Sequence, residues 1–97
     1  MLYDGVATVV TPGTKVPLTS VPTKADWVTV FTATAAGNLY MGGATVNAAA
    51  GRGAPLTTGS ANVCWPFGNS HGAYDLNLIY IDSTSANDGV TFIYGRN

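Results

Sequence analysis

The chain has 97 residues and few charges: four Lys or Arg and five Asp make up 9% of it, and the net charge is −1. Globular chains usually carry about 25% charged residues. Neither Glu nor Gln occurs, while Thr, Ala, Val, Gly and Asn are abundant, so the composition excludes a coiled coil or a helical bundle. The lack of a basic cluster argues against direct binding to nucleic acid, because no electrostatic footprint for phosphates is present.

The length and the hydropathy pattern indicate one domain, residues 1–97, without a membrane-spanning segment. The apolar runs extend over a few residues, against the roughly 20 that a bilayer-spanning helix needs. The first residues lack the basic and apolar regions of a secretory signal, so we expect synthesis in the cytoplasm and no membrane partner. Cys64 is the single cysteine, so no intrachain disulfide and no cysteine-based zinc site can form, and no cofactor is expected.

Turn-forming residues divide the chain into short runs that are rich in β-branched and aromatic residues. The runs recur about every ten residues, which is typical of a sandwich or a small barrel. The predicted fold class is all-β: a compact antiparallel β-sandwich or small barrel, jelly-roll or immunoglobulin-like, with negligible helix. The alanine-rich residues 46–54 are interrupted by Gly51 and Gly53 and are interpreted as a loop. The predicted strands are residues 5–10, 14–18, 27–34, 38–42, 44–47, 54–57, 61–65, 76–81 and 90–94.

Several predicted strands carry apolar residues on both faces. In residues 27–32, Trp27 and Phe31 alternate with Val28 and Val30. A sheet with one wet face alternates apolar and polar residues, so such strands are predicted to be covered on both sides. A neighbouring subunit is the simplest outer cover, and a loop of the same chain is the alternative. Because few ionised side chains keep copies apart, we expect the protein to pack against itself or a larger assembly.

The residues that most often carry catalysis do not form a recognisable constellation. His71 is the single histidine, and Ser70 beside it lacks the pattern of a nucleophile elbow. Cys64 lies in a predicted strand, where a free cysteine usually behaves as a small buried apolar group. Paired carboxylates and a phosphate-cradling glycine loop are also lacking, so the chain is not expected to be an enzyme.

Residues 82–89 bear several side-chain oxygens and end in a glycine. Calcium prefers oxygen ligands, but the stretch lacks the spacing and the bidentate Glu of an EF-hand loop. The favoured interpretation is a hairpin connection in which Asp82 and Ser83 hold the turn entry and Asp88 with Gly89 supplies the left-handed position. Calcium binding is the alternative.

A few aromatic and basic residues are candidates for partner contacts. Arg52, flanked by glycines, can project its guanidinium toward another chain or be an ordinary surface arginine. Trp65 and Phe67 can present aromatic faces to a sugar or a partner protein, or they can cap the core. Aromatic residues and arginine are enriched at interface centres. The predicted contact residues are therefore Tyr3, Trp27, Arg52, Trp65 and Phe67.

The order of the motifs resembles small virion proteins of tailed bacteriophages. A Val/Thr-rich strand begins at a glycine and runs into a Thr-Pro-Gly-Thr turn in residues 5–14, and further motifs follow over nearly the whole chain. These motifs are Val16-Pro17-Leu18, Trp27-Val28-Thr29-Val30, and residues 37–46, 51–56, 76–82 and 88–94. Residues 64–67 and the loop around His71 depart from the pattern.

The resemblance implies a compact β-sandwich carried on the virion, and it supplies no catalytic residue. The favoured interpretation of the resemblance is that the chain is a capsid decoration, or cement, protein. Such a protein is expected to form a homo-oligomer, here a trimer. The implied partner is the major capsid protein or another virion protein. A neck or tail component is the first alternative. An adhesion module that binds host glycans through the loop of Trp65 and Phe67 is the second.

Overall fold

The computed structural model of the chain describes residues 1–56, 61–65 and 74–96. Within these ranges it contains ten β-strands and one turn of 3₁₀ helix, Leu76–Leu78. The strands are β1 (Leu2–Val9), β2 (Val16–Pro17), β3 (Lys24–Ala25), β4 (Trp27–Thr34), β5 (Leu39–Gly42), β6 (Ala54–Leu56), β7 (Ala61–Trp65), β8 (Tyr74–Asp75), β9 (Tyr80–Ser83) and β10 (Asp88–Gly95).

Eight of these strands form two four-stranded antiparallel sheets. Sheet 1 has the order β1-β10-β4-β7, and sheet 2 has the order β2-β9-β5-β6. The short strands β3 and β8 pair with each other as a separate ladder. The predicted fold class, an all-β sandwich with very little helix, is therefore confirmed.

The strand order is that of one long antiparallel ladder folded over on itself. If the β3–β8 ladder is set aside, the first strand pairs with the last, β1 with β10, and the second with the next to last, β2 with β9. Inside these lie the pairs β4 with β7 and β5 with β6. Contacts of β10 with β4 and of β5 with β9 then join alternate pairs into the two sheets. This order is the jelly roll, rather than the immunoglobulin-like sandwich that the sequence left open.

The core lies between the two sheets and is built from alternate strand positions. Val28 and Val30 of β4 are fully buried, whereas Trp27 and Phe31 on the opposite face are half-buried. Burying a side chain of this kind stabilises a fold by about 1.5–3 kcal/mol, so the alternation fixes which face turns inward. The core comprises Ala7, Val9, Leu18, Ala25, Val28, Val30, Leu39, Met41, Leu56, Leu76, Ile81, Val90 and Phe92.

Two of the predicted strands are wrong. Residues 44–47 form a turn, in which an isolated bridge joins Asn47 to Arg52. Gly51 and Gly53 have φ angles of 68° and 124°, and this left-handed backbone folds the segment back on itself.

Residues 76–81 are also not one strand, because the 3₁₀ turn occupies Leu76–Leu78 and β9 starts at Tyr80. Asp75 accepts a 3.0 Å hydrogen bond from the backbone N–H of Asn77 and so caps the turn. This local hydrogen bond outweighs the strand preference of the apolar residues that follow.

The hairpin interpretation of residues 82–89 is wrong as well. β9 belongs to sheet 2 and β10 to sheet 1, so the segment crosses from one sheet to the other. Its left-handed residue is Asn87, with φ of 68°, rather than Asp88 or Gly89.

Candidate interaction surface

The side of sheet 1 that points away from the core is called the outer face. Because side chains alternate along a strand, every second residue of β1, β10 and β4 lies on this side. In register order these residues are Leu2, Gly95 and Trp27; Asp4, Ile93 and Thr29; Val6, Thr91 and Phe31. The described part of the outer face is therefore mostly apolar or Thr, and Asp4 is the one ionisable side chain in these three rows.

Two large apolar side chains on the outer face are open to solvent. Val6 is 69% exposed and Leu2 is 64% exposed, and both lie on β1. Half-buried Ile93 and Phe31 continue the apolar surface across the neighbouring strands. A single exposed apolar residue is ordinary, but a contiguous group is typical of a contact surface.

The aromatic ring of Trp27 lies at one end of the outer face. The indole of Trp27 lies over Gly95, so closely that a side chain at position 95 would overlap the indole nitrogen. The lack of a side chain at position 95 therefore lets the indole pack against the backbone of β10. A side chain that is partly ordered before binding loses less conformational entropy when a partner covers it.

Sheet 2 is covered on its outward side by residues of the same chain. Residues 43–53 fold over the outward side of sheet 2, where Ala48 donates its backbone N–H to the carboxylate of Asp82 at 2.9 Å. Val46 and Ala48 are buried as a result. The loop that was the alternative cover in the sequence thus exists for sheet 2, while Leu2 and Val6 of sheet 1 stay exposed.

A groove of about 340 Å³ lies beside β1. One wall is formed by Asp4, Gly5 and Val6, and the other by the segment 18–23 with its hydroxyl-bearing side chains. Tyr94 also lines the groove, and its ring stacks on Tyr3 with the centroids 5.2 Å apart. Space beside the first strand is therefore accessible to a ligand or a partner.

The three predicted contact residues whose side chains the structure describes, Tyr3, Trp27 and Arg52, lie on different surfaces. Trp27 lies on the outer face, whereas Tyr3 lies on the core side of β1 and is 40% exposed. Arg52 is exposed on the loop that covers sheet 2, where its backbone pairs with Asn47. The side chain of Trp65 and the whole of Phe67 lie outside the described residues, as does His71. Of Trp65, the backbone is described, paired with Val28.

Sequence reasoning missed Leu2 and Val6, the most exposed members of the outer face. The signal was the alternation in residues 2–9, where Ala7 and Val9 are buried and Val6 and Thr8 are exposed. The predicted strand, residues 5–10, leaves Leu2 and Asp4 outside this pattern, whereas β1 begins at Leu2.

Asp88 is the buried centre of the crossing segment. It accepts hydrogen bonds from the backbone N–H groups of Ala36 and Gly37, at 2.8 and 3.0 Å, and from Ser83 Oγ, at 2.7 Å. Burial raises the pKa of Asp88, but the hydrogen bonds together hold that pKa below its ordinary value. The carboxylate thus accepts hydrogen bonds from groups of the protein itself. Among the described residues, no group of three or more His, Cys, Asp or Glu side chains is placed to hold a metal ion.

No helix in the described ranges has the length and apolar character needed to cross a membrane. Comparisons with protein-family models, with curated proteins and with solved structures find no match to the chain.

Proposed function

We propose that the protein is a non-enzymatic structural subunit of a bacteriophage particle, which decorates the head and attaches through the outer face of sheet 1. The observation that carries the proposal is the exposed apolar surface around Leu2 and Val6 on a chain with very few charges. Such a surface lowers its free energy by being covered.

The jelly-roll order adds support at the level of the fold. Jelly rolls are found in viral capsid proteins and in lectins. A fold is compatible with many functions, so this likeness supports the proposal only together with the surface. The resemblance of the motifs in residues 5–14 and beyond to virion proteins points in the same direction.

The size of the outer face indicates that the protein attaches through several weak contacts made at the same time. Three strands of eight residues and one of five, about 4.8 Å apart and rising about 3.3 Å per residue, present about 460 Å². A standard stable interface buries about 800 Å² on each partner, so one such contact would be weak by itself. An oligomer that touches several shell subunits at once gains avidity and braces the shell. The predicted trimer is one arrangement that provides this.

The test is to add purified protein to expanded heads that lack it, and to measure bound copies per head and the temperature at which the heads rupture. We expect saturable binding that raises the rupture temperature. The matched variant is Val6→Thr, which keeps the shape of an exposed side chain and makes it polar. It should bind more weakly while its own melting temperature is unchanged.

Binding to purified necks or tails, with none to heads, would support the neck or tail alternative instead. No binding to any part of the particle would contradict the proposal.

A carbohydrate-binding adhesion module is a second candidate, favoured by the groove beside β1. Its lining combines Asp4, the hydroxyl-bearing Thr19 and Ser20, and the ring of Tyr94. Sugars are commonly held by hydroxyl and carboxylate hydrogen bonds together with an aromatic face. Micromolar binding on a glycan array that is lost in Tyr94→Ala would favour this function over decoration.

A further inference from the structure

The hydrogen bonds at the start of the chain show which way β1 directs its backbone. The terminal amine of Met1 donates to the carbonyl of Arg96 at 2.7 Å, and Arg96 donates its N–H to the carbonyl of Met1 at 3.1 Å. Residues that exchange both bonds form a hydrogen-bonded pair, and such pairs alternate along an antiparallel ladder. Given the register of β1 with β10, the backbone groups that face β10 belong to Tyr3, Gly5, Ala7 and Val9.

The other backbone groups of β1 face the open edge of sheet 1. β1 ends the strand order, and among the described strands β10 is its sole neighbour in the sheet. No backbone hydrogen bond from another described residue reaches this edge. The residues that present their N–H and C=O groups there are Leu2, Asp4, Val6 and Thr8.

This edge lacks several of the features that usually prevent strand addition, although it carries one charged side chain, Asp4. Exposed edges are commonly blunted by Lys, Pro, a β-bulge or a very short strand. β1 is eight residues long, contains neither Lys nor Pro, and keeps an unbroken register with β10.

We propose that β1 is a docking edge at which β1 of a second copy of this chain adds in the antiparallel direction. The inference deepens the self-association that the proposed function requires, by naming the contact between copies. A twofold axis at Gly5 places Asp4 opposite Val6 of the partner subunit and Leu2 opposite Thr8 of the partner subunit. Each such pair exchanges two hydrogen bonds. The two copies of sheet 1 then form one continuous sheet, and their outer faces lie on the same side.

Charge and geometry favour a second copy in this register. Asp4 is the one acidic or basic side chain of β1, and here it faces an apolar residue. A slip by two residues in one direction would set Asp4 against Asp4 of the partner subunit and be repelled. A slip in the other direction would leave Leu2 unpaired. The selected register also places Gly5, which has no side chain, where opposite strands approach to about 4.5 Å between Cα atoms.

The contact uses the same surface on both copies, so it demands an even number of copies. A trimer is then compatible with it only if two trimers pair through their edges. The predicted trimer as a final assembly and the proposed edge contact therefore make different predictions for the mass in solution.

The experiment compares purified wild-type protein with Val6→Pro and Val6→Thr by sedimentation equilibrium. Proline removes the outward N–H of Val6, which bonds to nothing within the described chain, and edge strands tolerate proline at such positions. We expect an even-numbered assembly for the wild type, a dissociation constant about tenfold or more higher for Val6→Pro, and a change within about threefold for Val6→Thr.

Amide hydrogen exchange of the wild type gives a second measurement that needs no variant. The amides of Leu2, Asp4, Val6 and Thr8 should exchange slowly at high protein concentration and rapidly on dilution. Those of Tyr3 and Gly5 should be protected at both concentrations.

A monomer or a trimer at high concentration, or rapid exchange of the four edge amides there, would overturn the inference. Protection of these amides only after a capsid protein is added would assign the edge to a strand of another protein and would also overturn it. Both measurements use the purified chain alone. They can therefore contradict the edge contact while binding to heads is observed, and they can support the edge contact while binding to heads is not observed.

Discussion

Ser83 Oγ, at the end of β9, donates a 2.7 Å hydrogen bond to the buried carboxylate of Asp88, at the start of β10. These two residues belong to different sheets, so the bond spans the point where the chain crosses from sheet 2 to sheet 1. The same carboxylate binds the backbone N–H groups of Ala36 and Gly37, in the turn that follows β4. One acidic side chain thus fixes two crossing segments at one end of the sandwich.

We expect Asp88→Asn to be strongly destabilising. Asp88 accepts hydrogen bonds from three donors and is fully buried. An amide replaces one acceptor oxygen by a donor, which would face another donor without access to water. The free energy of unfolding should fall by about 2–3 kcal/mol, as measured by urea denaturation. Asp4→Asn, on an exposed residue, is the control and should change it by less than about 0.5 kcal/mol. Equal effects of the two variants would contradict the role given to Asp88.

The buried side chain of Asp82 should tolerate the same chemical change much better. Its Oδ2 accepts from the N–H of Ala48 at 2.9 Å, whereas its Oδ1 is buried with no hydrogen-bond partner among the described atoms. Asp82→Asn can keep the bond to Ala48 through its amide oxygen, so we expect a cost below about 1 kcal/mol. Asp82→Ala removes the acceptor and should cost about 2 kcal/mol. A large loss in Asp82→Asn would show that the unpartnered oxygen has an acceptor role.

Stability should decrease in acid below the ordinary carboxyl pKa. For Asp75, hydrogen bonds from the N–H groups of Thr23 and Asn77 hold the pKa below its ordinary value of 3.8, helped by Lys24. Asp88 also has a lowered pKa, because its three hydrogen bonds outweigh the effect of burial. A carboxyl with a lower pKa in the folded state stabilises fully above its ordinary pKa, and this stabilisation is lost as the pH falls through the folded value.

The measurement is the melting temperature between about pH 6 and about pH 2. We expect a plateau at the upper end and a steep fall below the ordinary value of 3.8. In Asp88→Asn, the fall should be shallower because one of the two titrating groups is gone. A wild-type melting temperature that rises on acidification would contradict the assignment.

We expect Gly5→Ala to disturb the core, although a methyl group is small. The ring of Phe92 lies against Gly5, so an added Cβ would overlap the ring. Overpacking of this kind costs about 1–3 kcal/mol. Phe92→Leu in the same chain should recover part of the loss, because the shorter side chain leaves room. Gly43→Ala is the matched control, since a Cβ there meets no atom within 4 Å. Equal stability of the Gly5→Ala and Gly43→Ala variants would contradict the packing.

Much of the strand pattern could be predicted, because it depends on local alternation and turn residues. β4, β5, β6, β7 and β10 lie at or near their predicted positions. The short pair β3 and β8 could not be predicted, since two-residue strands leave no periodic signal. The strand predicted at residues 76–81 was wrong because a single side chain, Asp75, caps a turn there through a hydrogen bond to the backbone of Asn77.

The candidate site was harder to predict than the strands. Trp27 is a predicted contact residue and lies on the outer face, whereas the exposed residues Leu2 and Val6 are not among the predicted contact residues. Whether a residue is exposed depends on which sheet is covered by a loop. That requires knowing that residues 43–53 fold over Asp82 rather than over sheet 1.

The all-β class follows from the amino-acid sequence alone, because scarce helix formers and short alternating runs are local properties of the chain. The jelly-roll order, the crossing at Asp88 and the open edge of β1 are evident only in the folded molecule. These features depend on pairings between residues far apart in the chain, such as Met1 with Arg96. Local preference is equal for many such pairings, and only the packing of the complete core selects one of them.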